Sequence, residues 1–433
     1  MSGKICYSSL TGINRKYPEK KHIGFWEQEM RILILNTWYY PNMQGGAEYS
    51  VKILAENLAK AGIDTAVFCI DNKSTGLKKE NLGGVTVYRS DGGKYRLYRA
   101  YFEKRTTVQK LTDKFHELYN LSISKDLEYA LEDFRPEAVH CNCFSGISFR
   151  LFKIIDNKNI PLVLTLRNYF LIYPSDKDKI KGKLPSKLLR KIYLGVSRHF
   201  TNNVKCVAAP SDYTLRYHTE RGFFKNAEIA VCIPNCTEFD YEDVKRSVAA
   251  KQSRKEGKIH FLYAGWITQP KGIRNLLDAF MTVNSENIDL TVCGSGNLEE
   301  FVIECEKKDE RISYRGRLSS EKLALEYEKA DVLIVPSVWD EPFGRVIIEG
   351  NQHGLPVICT DKGGIPEISR QMHSCIVYEA DNTGELKKAI EYLLDRNNYS
   401  KYHKAILDNI EYYSVENQIR SYMDIYQRII KSS

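Results

Sequence analysis

Val335-Pro-Ser-Val-Trp-Asp-Glu-Pro-Phe-Gly-Arg-Val-Ile-Ile-Glu349 reads as the end of a strand, a loop and the start of a helix. The apolar run from Val332 closes at Pro336. The loop carries Glu341, the helix begins near Gly344, and Glu349 lies about one turn into it. One carboxylate before a helix and another inside its start can be aimed at one ligand. Carboxylates are good acceptors for sugar hydroxyls. An acid in a first helical turn is also favoured by the helix dipole alone, so the neighbouring loops must decide between the two readings.

Three further loops have the same layout. Asp361-Lys-Gly-Gly-Ile-Pro-Glu367 follows the strand Pro356–Thr360, and a helix from Ile365 would aim its N–H groups at an anion. Tyr263-Ala-Gly-Trp-Ile-Thr-Gln-Pro-Lys-Gly272 places Gly265 at a strand end and Lys271 just before a helix. Gln44-Gly-Gly-Ala-Glu48 sits between the strand Ile32–Asn36 and the helix Ala47–Ala61. A lone Gly-Gly turn says little. Glycine-bearing loops at matching strand ends, with one lysine, suit a bound diphosphate.

Around these loops, short apolar runs alternate with longer amphipathic ones. Strands are expected at Ile32–Asn36, Thr65–Ile70, Val85–Arg89, Ala138–Cys141, Leu162–Leu166, Cys206–Ala208 and Ile229–Ile233. Asp240 to Lys258 is dense in charge and reads as a linker containing a short helix. The rhythm then resumes at Ile259–Ala264, Leu290–Cys293, Ile312–Arg315, Val332–Pro336, Pro356–Thr360 and Cys375–Tyr378. The expected fold is α/β, with two Rossmann-like domains facing each other across a cleft. Domain boundaries are expected at 1–29 for an N-terminal extension, 30–235 for the first domain and 236–414 for the second.

Bulk properties agree with this reading. The 433 residues exceed one ordinary core, and the chain is 43% hydrophobic and 27% charged. No stretch approaches the roughly 20 apolar residues of a membrane span. Met1 to Glu29 lacks the apolar core of a signal peptide. The eleven cysteines include no CxxC pair, and Cys141-Asn-Cys143 has the wrong spacing for zinc, so reduced buried thiols in a cytoplasm are expected. The formal charge of +8 is concentrated in Lys94–Lys114 and Lys177–Lys205. Basic surface of that kind suits an anionic membrane or a phosphate. Nothing in it matches a nucleic-acid-binding motif, and no nucleic-acid partner is expected. In the stretch Leu184–Phe200, Leu184, Leu188, Ile192, Val196 and Phe200 recur every four residues, and Lys187, Arg190, Lys191 and Arg198 lie off that stripe. Such a helix either packs on a core or lies in a lipid interface.

From Met30 to about Ile430 the chain resembles the family 4 glycosyltransferases, retaining enzymes with the two-Rossmann GT-B fold. The markers are Gly-Gly-Ala-Glu (45–48), Pro-Ser-Asp-Tyr (210–213), Ile-Pro-Asn (233–235), Lys-Gly (271–272), Glu-Pro-Phe-Gly-x-x-x-x-Glu (341–349) and Gly-Gly-x-Pro-Glu (363–367). The resemblance implies that a C-terminal helix, 415–433, packs back onto the first domain. It implies a nucleotide-sugar donor, UDP-linked by preference, and no metal or other cofactor. Lys271 would neutralise the leaving diphosphate and Glu349 would bind the ribose. Glu341, with the backbone of Phe343 and Gly344, would hold the donor sugar. Gly265, Gly363 and Gly364 would line the nucleotide, and Gly45 and Gly46 would let the N-terminal loop close on donor and acceptor. Front-face attack needs no protein nucleophile. Asp176-Lys-Asp178 lies in a lysine-rich loop after no strand and is not expected to bind metal.

Three positions depart from the pattern. Trp266 stands where relatives carry an arginine, which leaves more of the diphosphate charge to Lys271, helped by Arg345 or another basic residue. Arg167-Asn168 stands where relatives carry His-Asp near the donor sugar; His140, at another strand end, is a candidate in its place. Cys236 replaces a glycine at the interdomain turn. The leading expectation is transfer to a lipid-linked or saccharide acceptor in surface polysaccharide or glycolipid synthesis, in the cytoplasm or at the inner face of the plasma membrane. A soluble small acceptor and a catalytically weak binding scaffold are the alternatives.

Overall fold

The computed structural model describes residues 30–43, 45–71, 75–92, 119–173, 187–254 and 256–432, with side chains of the helix at 187 described from Arg190 onward. The extension before Met30, the basic stretch Lys94–Lys114, Asp176–Asp178 and Leu184 lie outside these residues. The chain divides into two compact units, Met1–Pro234 with Val415–Ser433, and Asn235–Ser414.

The first unit runs β1 (Arg31–Leu35), α1 (Gly46–Lys60), β2 (Asp64–Ile70), β3 (Lys78–Leu82), β4 (Val85–Ser90), α2 (Leu121–Phe134) and β5 (Ala138–Cys141). It continues α3 (Arg150–Asn157), β6 (Leu162–Thr165), α4 (Lys187–Thr201), β7 (Cys206–Ala209), α5 (Asp212–Thr219) and β8 (Ile229–Cys232). The sheet order is β3-β4-β2-β1-β5-β6-β7-β8. All pairs are parallel except β3 with β4. Ile32 to Leu35 are fully buried, as expected of a central parallel strand covered on both faces. Strand β3, Lys-Lys-Glu-Asn-Leu, has no apolar pattern to announce it, because it is an exposed, charged edge strand.

The second unit begins with α6 (Tyr241–Ser253), then β9 (Ile259–Ala264), α7 (Ile273–Phe280), β10 (Ile288–Cys293), α8 (Glu299–Lys308), β11 (Ile312–Gly316) and α9 (Ser320–Lys329). It closes with β12 (Val332–Val335), α10 (Arg345–Gln352), β13 (Val357–Thr360), α11 (Ile365–Met372), β14 (Cys375–Tyr378), α12 (Thr383–Tyr392) and α13 (Ser400–Asn409). Its six strands are all parallel, in the order β11-β10-β9-β12-β13-β14. The charged linker is mostly α6, which buries Val244, Val248 and Lys251. The Lys251 ammonium caps the end of α9, donating to the carbonyls of Tyr327, Glu328 and Ala330.

Helix α14 (Val415–Lys431) belongs to the first unit and contacts α1 and β5. It buries Val415, Ile419, Tyr422, Tyr426 and Ile429, a stripe at helical spacing. The stripe expected for α4 is displaced. Ile192 is 52% exposed, whereas Tyr193, Leu194 and Phe200 pack on the core and Ser197 is buried. Residues four apart drift about 40° per step on a helix of 3.6 residues per turn, so five of them cannot share one face.

Candidate active site

In an open parallel sheet, ligands bind beyond the carboxyl ends of the strands where the strand order reverses. In the second unit that point lies between β9 and β12. Lys271 follows β9 and Glu341 follows β12. Their side chains meet: Lys271 Nζ lies 2.5 Å from Glu341 Oε1. Ser337 Oγ donates to the same oxygen at 2.8 Å. The lysine is 32% exposed and the glutamate 13%, so the pair stands at the surface of the unit.

Backbone contacts between loops hold these residues. Pro270 lies in the 3-10 turn Gln269–Lys271, and its carbonyl accepts from the N–H groups of Val338 and Trp339 at 3.0 and 3.1 Å. Gly272 follows with φ of 72°, and a Cβ there would come 1.7 Å from the Pro336 carbonyl oxygen. On the other side, the Gly364 N–H donates to the Glu341 carbonyl at 2.8 Å. Gly363, with φ of 60°, lies so close that a Cβ would stand 2.2 Å from that oxygen. Gly294 meets the Gly265 carbonyl in the same way, with a Cβ at 1.8 Å. The glycines therefore let loop pack on loop, whereas for Gly363 and Gly364 the sequence leads to the expectation of backbone approaching a ligand.

Phe343 is 5% exposed and packs edge-on against Tyr413, with ring centroids 5.9 Å apart. Gly344, with φ of 110°, starts α10. One turn on, Glu349 Oε1 accepts from Arg345 Nη2 at 2.5 Å, and Tyr327 Oη stands 3.5 Å from Oε2. The Tyr327 ring is buried and stacked on His353, centroids 5.0 Å apart. Burial pushes its phenol well above the ordinary range, with Glu349 adding to the shift, so Tyr327 is a neutral donor. Arg345 is thus already committed to Glu349. Trp266 is 47% exposed, with Arg317 over its ring at 6.0 Å.

The first unit carries the remaining candidates. Gly45 caps α1, and its N–H donates to Glu48 Oε2 at 2.9 Å; nothing lies within 4 Å of a Cβ built at Gly46. Arg167, beyond β6, is 8% exposed, and its Nε donates to Asn142 Oδ1 beyond β5 at 2.9 Å. His140 is a correction. Its ring is fully buried, with Nδ1 2.6 Å from Tyr426 Oη and Nε2 2.8 Å from Thr165 Oγ1. Both nitrogens are spent on tying α14 to the sheet. Burial, with Arg167 nearby, holds its pKa well below the usual value, so it is neutral. Ser337 and Tyr327 were not singled out from sequence. A hydroxyl four residues before Glu341, directly after a strand, was a readable signal; the Tyr327 contact comes from another element and was not.

Comparison with known proteins places this geometry. The model described as "Glycosyltransferase Family 4" matches residues 44–240, and "Glycosyl transferases group 1" matches 244–409. A 42.6 kDa protein in the cps region of Klebsiella pneumoniae is 28% identical over 345 residues, 79% of this chain and 88% of that protein. Sucrose-phosphate synthase from Thermosynechococcus elongatus superposes with a TM-score of 0.70 at 18% identity, covering 94% of this chain and all of that one. HepE of Anabaena, solved in complex with UDP, gives a TM-score of 0.65 at 15% identity, covering 92% and 100%. The two α/β units have the GT-B fold of these structures. With two consecutive models covering both halves, and the markers at 271–272, 341–349 and 363–367 gathered on the carboxyl ends of one sheet, the chain belongs to the group 1 glycosyltransferases.

Proposed function

We propose that the protein transfers a sugar from a UDP-linked donor to a lipid-linked saccharide, with retention and without a metal ion, in making a surface polysaccharide or glycolipid. The observation that carries the donor site is the Lys271–Glu341 pair across the point where the strand order reverses. Without donor, each residue is the other's counterion. With donor, the diphosphate takes Lys271 and the sugar hydroxyls take Glu341, so both charges keep a partner. Glu349, with one oxygen on Arg345, offers the other to the ribose hydroxyls. The bond from the anomeric carbon to the diphosphate breaks with its electron pair on the phosphate oxygen, where Lys271 neutralises the developing charge. The acceptor hydroxyl forms the new bond from the same face and passes its proton to the departing phosphate. The UDP complex of HepE and the cps-region relative support the choice of nucleotide and product class.

Arg167 stands at the sequence position where relatives carry a histidine near the donor sugar. Its guanidinium grips a carboxylate bidentately, and a plain hydroxymethyl group gives it little. A uronic acid donor follows, and UDP-glucuronate against UDP-glucose tests it. Better use of the neutral sugar refutes it, and a uronate preference moved back by Arg167→His supports it. On α4, Arg190 and Lys191 are exposed beside the exposed Ile192, a surface suited to anionic lipid. Among the described residues no helix is long and apolar enough to cross a membrane, and the proposed contact is peripheral, at the inner face of the plasma membrane. Sedimentation with phosphatidylglycerol vesicles tests it; no binding at low salt returns the acceptor to the soluble class. The reading as a whole is tested by a screen of sugar nucleotides with acceptor lipid, on the wild type and on Glu341→Ala.

A further inference from the structure

One side of strands β9, β10 and β11 in the second unit carries a feature that transfer does not use. Covered sheet faces are ordinarily aliphatic. Here one face of β9, β10 and β11 carries His260, Asp289, Thr291, Ser313 and Arg315 beside the buried Leu262 and Cys293, and Ile259, Phe261, Ile288, Leu290 and Ile312 are buried on the opposite face. In register, His260 faces Asp289 and Thr291 faces Ser313. These side chains floor a cavity of about 580 Å³, walled by the ends of α6 and α9. That volume is in the range of small-molecule sites. Its lining, which runs from Lys258 at the amino end of β9 to Arg315 in β11, includes none of Lys271, Glu341 and Glu349.

The charges of this cavity fall into two groups. Asp331, 1% exposed, is held by Arg254 and Arg396 at 3.3 and 3.4 Å. Asp289 is held by His260 at 2.6 Å, and Glu326 by Lys329 at 2.8 Å. Among the described residues, the cations Lys258 and Arg315 line the cavity without an ion-pair partner, as do the carboxylates Glu256 and Glu310 at its mouth. An inorganic anion would satisfy the cations and be repelled by the carboxylates. A neutral sugar would leave the cations unused.

We propose that this cavity binds a phosphorylated sugar, its phosphate on Arg315 and its hydroxyls on Ser313 and Thr291. A guanidinium fork matches a phosphate bidentately, and hydroxyls accept from or donate to the ring hydroxyls. The site is separate from the donor residues and does not rest on the reading of the transfer reaction. Calorimetry on the full chain tests it with glucose 6-phosphate, glucose and inorganic phosphate as probes. Glucose 6-phosphate should bind at least about tenfold more tightly than either part alone. Arg315→Ala, an exposed position outside the core, should weaken it about tenfold, with an unchanged melting temperature. Lys271→Ala should leave it unaltered. Absence of saturable binding at millimolar concentration overturns the proposal. So does equal binding of inorganic phosphate, or binding lost in Lys271→Ala and kept in Arg315→Ala.

Discussion

Replacing Lys271 with alanine removes the ammonium that pairs with Glu341 at the donor end of the sheet. Two unit charges about 4 Å apart interact by about 4 kcal/mol at an effective dielectric near 20. The Lys271 side chain is 32% exposed, so water recovers part of that. A loss of about 3 kcal/mol in transition-state stabilisation, on the order of 100-fold in kcat/KM, is expected. A second effect runs beside it. The Glu341 carboxylate, only 13% exposed, keeps the Ser337 hydroxyl but loses its counterion. The double variant Lys271→Ala with Glu341→Ala separates the two effects. If Lys271 serves only to hold Glu341, it is then no worse than Glu341→Ala alone. If Lys271 meets the diphosphate, a further large loss remains, and calorimetry shows UDP binding weakened in Lys271→Ala but little changed in Glu341→Ala. Lys271→Arg should recover part of the activity, since the charge is kept and the reach altered. The reasoning is refuted by a Lys271→Ala enzyme within threefold of wild type on the donor it prefers.

Three more expectations follow from the same geometry. Glu349→Ala should weaken UDP binding by roughly 1–3 kcal/mol, and unchanged affinity in calorimetry would return Glu349 to a purely helical role beside Arg345. Gly363→Ala should cost activity and lower the melting temperature, because its Cβ would stand 2.2 Å from the Glu341 carbonyl oxygen; a variant with wild-type kinetics would show that the loops slide freely. His140 is neutral in the folded chain and ordinary when unfolded, its folded pKa lying well below 6.5. The unfolded chain then takes up the proton first as pH falls, so His140's contribution is present above about pH 6.5 and lost below it, by at most about 1.4 kcal/mol per pH unit. His403, lowered to about 4 by burial, acts with the same sign. Melting curves between neutral pH and pH 5 check this, and His140→Asn should flatten the slope; equal slopes would refute it.

Much of the fold was legible because parallel strands covered on both faces are continuous apolar runs. Ala138–Cys141, Ile259–Ala264 and Cys375–Tyr378 fall at the expected residues. What escaped was structure whose stabilising contacts are distant in sequence or absent from the pattern. The edge strand β3 is written in charges. Helix α6 hides three buried residues in a charged stretch, one of them a lysine whose ammonium caps another helix. The α4 stripe is displaced because residues four apart do not follow the 3.6-residue period of a helix.

The site divides along the same line. Residues that act through their own side chains, Lys271, Glu341 and Glu349, are identifiable by type and by position after a strand. Gly363 is identifiable from its Gly-Gly loop and Gly272 from its Lys-Gly pair, whereas Gly294 has no such mark. Gly272, Gly294 and Gly363 each touch the backbone of another strand's loop, at Pro336, Gly265 and Glu341. No spacing within one loop can disclose that, because the partner lies 29 to 64 positions away in the chain for the first two and 22 for the third. These contacts make the loops beyond β9, β10, β12 and β13 one rigid layer. A rigid layer is what fixes a lysine and a carboxylate at 2.5 Å on separate loops, and it is what transition-state stabilisation requires, since charges that must reorganise during reaction lose their advantage over water. Any side chain at these glycines should therefore damage chemistry more than nucleotide binding, a split between kcat and KM that a residue lining the ligand would not produce.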